Sequence, residues 1–77
     1  MPHIIVTLAA GRSQELKARL PERIVTDVVT MLNTDESAVS VAIEEVRPED
    51  WAEHVYKPDI AGHWARLYKK PGCNPFE

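Results

Sequence analysis

The chain has 77 residues, 44% of them hydrophobic, and a formal net charge of −3, which suffices for one small domain and no more. Its acidic balance, with basic residues scattered except for the adjacent Lys69 and Lys70, excludes nucleic acid as a main partner, because phosphate binding asks for a basic surface. The single cysteine, Cys73, rules out an intramolecular disulfide and fits a reducing compartment.

Met1 is followed by Pro2, a small second residue behind which the initiator methionine is expected to be removed. The chain would then begin with a secondary amine, a stronger base than a side-chain hydroxyl. From His3 to Leu8 the sequence is rich in β-branched residues and closes at Ala10-Gly11, which predicts a strand. Ile4, Val6 and Leu8 share one face, and His3, Ile5 and Thr7 the other. The apolar run is too short to span a membrane and lacks the basic region of a signal peptide, so a cytoplasmic location without a membrane partner is expected.

Gly11 permits a turn, Ser13 is placed to cap a helix, and Glu15 suits its positive end. Leu16, Leu20, Ile24, Val28 and Leu32 recur every four residues, with Val25 and Met31 widening the stripe, and predict an amphipathic helix from about Gln14 to Leu32. Pro21 lies inside it and predicts a kink. After the polar Asn33–Ser37 loop, Val39, Val41 and Ile43 alternate with Ser40, Ala42 and Glu44 as a half-buried strand. Strand, long helix, strand is a βαβ unit with its two strands parallel.

Pro48 and Pro58 each suit the first turn of a helix. A short helix is expected from Pro48, and a longer one from Asp59 to Lys70 with Ile60, Trp64 and Leu67 along one side, stopped by Pro71-Gly72. Two strands and one helix leave an open sheet edge and a bare sheet face. A domain this small buries only about 60% of its unfolded surface. Both points predict self-association.

The Met1-Pro2 start, the Leu8-Ala9-Ala10-Gly11-Arg12-Ser13 turn, the long helix and the Ser40-Val41-Ala42-Ile43-Glu44 strand resemble the 4-oxalocrotonate tautomerase family. The Arg47–Gly72 tail is similar to the small dimeric branch of that superfamily, which adds a C-terminal helical extension. The resemblance implies one tautomerase-like domain over residues 1–77, an α/β (α+β) fold. Its βαβ unit would cover residues 1–46 and the extension and tail 47–77, with the fold completed by oligomerisation as a homodimer or, alternatively, a hexamer. It implies a cofactor-independent enol–keto isomerisation of a 2-hydroxy-dienoate or phenylenolpyruvate-like 2-keto acid.

In that resemblance Pro2 is the general base, taking a proton from one position of the enol and returning it at another. The amine must be neutral near pH 7 for this work. Arg12 matches the family's carboxylate-binding arginine, whose planar fork fixes a carboxylate with two parallel bonds; on the residues alone it reads as a solvated loop arginine. Trp51 falls where the family places an aromatic pocket wall, packing in a small core or interface being the other reading. Many members carry a second arginine in the middle of the second strand, where this chain has Ser40. A neutral hydroxyl donates one hydrogen bond but no charge, so a monocarboxylate enol is the expected substrate.

His3 neighbours the amine, either tuning it or simply facing solvent or an interface. His54 and His63 are nine apart without a second cysteine, so no metal site is expected. Glu44-Glu45 reads as a solvated turn, or as a carboxylate activating water in a hydratase- or dehalogenase-like branch. A non-catalytic module that keeps the fold is the alternative of another class.

Overall fold

A computed structural model of the chain describes residues 1–76. Strand β1 spans His3–Ala9, helix α1 Gln14–Leu32 and strand β2 Ser40–Val46, with a single 3₁₀ turn at Glu36–Ala38 before β2. The two strands pair with each other. The Ser40 N–H donates to the Pro2 carbonyl (3.2 Å), joining the first residue of β2 to the residue just before β1. Both strands therefore start at the same end of the sheet and run parallel, with α1 as the crossover.

The bounds of α1 have local causes. Ser13 stands in extended backbone, and its side chain accepts from the Leu16 N–H at 3.2 Å, satisfying one donor of the first turn. At the other end Asn33 adopts left-handed backbone (φ 52°) and its N–H reaches the Val29 carbonyl. The helix passes through Pro21 without interruption, as the continuous apolar stripe requires.

Which face of the sheet α1 covers follows from two contacts. Lys17 Nζ donates to Glu45 Oε1 at 2.6 Å, so Val41, Ile43 and Glu45 lie on the helix side of β2. His3 Nδ1 and Ser40 Oγ are 2.6 Å apart, so His3, Ile5 and Thr7 share the opposite face with Ser40, Ala42 and Glu44. Ile5 on that face is 54% exposed.

The chain divides into two compact units, one of residues Met1–Glu45 and a second beginning at Val46. Among the described residues, none in the first unit is fully buried. Ile24, Val25, Val28 and Val29 are half-buried, whereas Leu16, Leu20, Met31 and Leu32 are exposed. The expected stripe is thus only half covered by its own chain.

The second unit departs most from expectation. A 3₁₀ turn covers Pro48–Asp50, a π-helix Ala52–Ile60 and a 3₁₀ helix Ala61–Arg66. The single helix expected over Asp59–Lys70 does not form, and Pro58 sits inside the π-helix instead of opening a new one. Pro58 lacks an N–H, and its ring crowds the carbonyl one turn back, so a regular α-turn is costly there; the wider π turn relieves that crowding. Beyond it His63 leaves helical backbone (φ −124°, ψ 29°) and Leu67 is extended. Val55 and Tyr56 are buried, and the Tyr56 ring meets Phe76 edge-on with centroids 6.0 Å apart.

Candidate active site

Pro2 is half-buried, and its carbonyl is held by the Ser40 N–H. The residue bearing the expected base is therefore tied to the sheet by its carbonyl and not a frayed end. Ser40 is the first residue of β2 and not, as the resemblance implied, in the middle of the strand. Its hydroxyl is also engaged, by the His3 ring at 2.6 Å. Sequence reading placed Ser40 and His3 separately; their pairing depends on strand register, which composition does not reveal.

Arg12 stands at the far end of β1, just past a turn that needs Gly11 at φ 115°. It is exposed and joins no ion pair or side-chain hydrogen bond among the described residues. With Leu8, Leu16, Lys17, Arg19, Leu20 and Arg23 it lines an open groove of about 530 Å³. Its lining combines leucines with cationic side chains, a combination that suits an anion with an apolar body. Arg19 faces Glu15 at 3.8 Å and Lys17 holds Glu45, so Arg12 and Arg23 are the groove's two guanidinium groups outside any ion pair among the described residues. Arg19 and Arg23 belong to no motif that marks them as groove residues, although their spacing of four places them on one helix face.

Pro2 and Arg12 do not meet within one chain. From Pro2 to Leu8, the strand residue beside Arg12 in the groove, six extended steps cover about 20 Å. That exceeds the reach of an arginine side chain. Trp51 belongs to the second unit, where it is half-buried in helical backbone (φ −57°, ψ −49°) between the Pro48–Asp50 turn and the π-helix. Among the described residues no group of His, Cys, Asp and Glu is arranged to hold a metal ion. None of the helices there is long and apolar enough to cross a membrane.

Comparison with known proteins places this geometry. The family model described as "Tautomerase enzyme" matches residues 2–56. A probable tautomerase of Xylella fastidiosa is 51% identical over 72 residues, covering 94% of this chain and 88% of that protein. Tautomerase PptA of Klebsiella pneumoniae is 40% identical over 73 residues, covering 94% and 96%. Among solved structures, TomN, a 4-oxalocrotonate tautomerase homologue in the tomaymycin biosynthetic pathway, superposes with a TM-score of 0.64 at 38% identity, over 83% of this chain and 95% of that one. A chain of the heterohexamer 4-oxalocrotonate tautomerase of Chloroflexus aurantiacus gives 0.66 at 28%, over 70% and 87%. With the βαβ unit, the family match and relatives aligned over nearly the whole chain, this protein belongs to the tautomerase family and is an isomerase.

Proposed function

We propose that this tautomerase interconverts the enol and keto forms of a 2-keto acid without a cofactor, with the Pro2 nitrogen as general base once Met1 is removed. Arg12 anchors the substrate carboxylate, and Ser40 donates a hydrogen bond at the Pro2 end of the sheet. Trp51 is proposed as an apolar pocket wall on the family resemblance alone. A dry pocket and a nearby cation both favour the neutral amine, which is the form that accepts a proton.

The observation that carries this reading is Arg12, exposed and outside any ion pair among the described residues, in a groove it lines together with three leucines in a tautomerase chain. A free guanidinium in a groove shared with leucines fits a carboxylate attached to an aromatic or aliphatic body, so the substrate proposed is a monocarboxylate enol of the phenylenolpyruvate type. Because Pro2 and Arg12 are a strand's length apart, the site is composite: Pro2 of one copy faces Arg12 of another. We extend the proposal to a homodimer, supported by the half-bare stripe of α1 and the uncovered Ile5 face; light scattering after size exclusion separates it from a hexamer.

The test is ketonisation of phenylenolpyruvate by Arg12→Ala and Arg12→Lys. Loss of a charge-assisted bidentate contact is expected to lower kcat/KM by roughly a hundredfold in Arg12→Ala. Lysine restores only part of it, because it keeps the charge and loses the fork. An Arg12→Ala enzyme with wild-type kcat/KM removes the anchor from the proposal.

A further inference from the structure

We infer that His3 and Ser40 form a charge-gated donor at the Pro2 end of the site, in which a protonated His3 frees the Ser40 hydroxyl to donate to the anionic oxygen of the reacting enolate. The inference rests on the tautomerase reading with Pro2 as base. It adds the group that would stabilise the charge this base creates.

Three observations meet at one rung of the sheet. His3 Nδ1 and Ser40 Oγ are 2.6 Å apart, short for a contact of this kind. The Ser40 N–H holds the Pro2 carbonyl at 3.2 Å, and paired strands lie only about 4.8 Å apart, so the pair sits beside the residue that carries the amine. Both side chains belong to exposed residues on the sheet face away from α1.

The gating follows from donor arithmetic. An imidazolium carries a proton on each ring nitrogen, so Nδ1–H donates to Ser40 Oγ and the serine proton is left to point at a ligand. A neutral imidazole protonated on Nε2 reverses the bond: the Ser40 hydroxyl donates to Nδ1 and has no proton to spare. Deprotonation therefore removes the charge and, in the Nε2–H tautomer, the outward donor as well. Other charges facing the pair within this unit are the Pro2 amine, the Met1 ammonium until that residue is removed, and Glu44 further along the same face of β2; β1 adds only Ile5 and Thr7, and α1 lies behind the sheet. Ser40 is thus the group that would touch substrate, and His3 a positioning residue acting through it.

The two titrations run in opposite directions. Pro2 must lose its proton to act as base, and His3 must keep its proton to free Ser40. A bell-shaped pH dependence of kcat/KM is expected, rising as Pro2 is deprotonated and falling as His3 is deprotonated. The experiment records kcat/KM for phenylenolpyruvate against pH in the full chain, in His3→Gln, Ser40→Ala, Ser40→Thr, and in His3→Gln with Ser40→Ala. The expected result is loss of the alkaline limb in His3→Gln and in Ser40→Ala, with the maximum lowered roughly tenfold to a hundredfold. Ser40→Thr retains the limb, and the double variant is no worse than the worse single one, because the two residues act as a unit. An alkaline limb that persists in His3→Gln, or costs that simply add in the double variant, overturns the inference. A matched protein with Pro2 blocked by one extra residue separates the two readings. Undiminished activity there removes Pro2 as base, whereas Pro2-dependent activity with an unaltered alkaline limb removes only the His3–Ser40 gate.

Discussion

Pro2 precedes β1 and Arg12 follows it, with about 20 Å of extended strand between Pro2 and Leu8, the strand residue beside Arg12. On the proposed roles, a single chain holds two half-sites and no whole one. The proposed chemistry then depends on assembly, because the base of one copy needs the anchor of another. Mixing two inactive variants tests this. A Pro2-blocked protein and an Arg12→Ala protein, unfolded together and refolded, are expected to regain about a quarter of wild-type activity in a twofold dimer, since half of the dimers are hybrid and each hybrid has one intact site. No recovery above the separate variants would place both residues in sites that do not share chains.

Assembly should also be visible in stability. None of the described residues of the first unit is buried, and Ile5, Leu16, Leu20, Met31 and Leu32 are 54%, 54%, 38%, 83% and 62% exposed. Covering such side chains fully is worth about 1.5–3 kcal/mol each. The expected outcome is a Tm that rises with protein concentration, read by calorimetry over a hundredfold dilution series. A Tm independent of concentration would mean that the isolated chain accounts for its own stability.

Gly11 is fixed by backbone and not by space. Its φ is 115°, and a Cβ built there meets nothing within 4 Å. Gly11→Ala is thus expected to cost about 1–2 kcal/mol through conformation alone. Because this turn carries Arg12 into the groove, kcat/KM should fall further than the stability loss explains. Urea unfolding and steady-state kinetics on the same preparation check both.

Much of the βαβ unit was legible in the sequence because its signals are local. Ser13 caps α1 and Asn33 closes it, and the β-branched runs became β1 and β2. What was illegible depends on partners in space. Periodicity marks Leu16, Leu20 and Leu32 as apolar, yet says nothing of whether their own chain covers them. The π turn around Pro58 needs the carbonyl geometry one turn back, which residue types do not reveal. His3 and Ser40 are 37 positions apart and meet only through the register of β1 on β2. Arg12 was legible as a candidate through its Gly-Arg-Ser turn; its separation from Pro2 follows only once β1 is extended.

The central claim is that the Pro2 nitrogen is the base. Two matched proteins test it, one whose intact mass shows Pro2 free and one with a single residue retained ahead of it, assayed by ultraviolet absorbance for phenylenolpyruvate ketonisation. The account predicts activity in the first and its loss in the second, because only the amine differs. Equal activity in both would contradict it and move the base to another group.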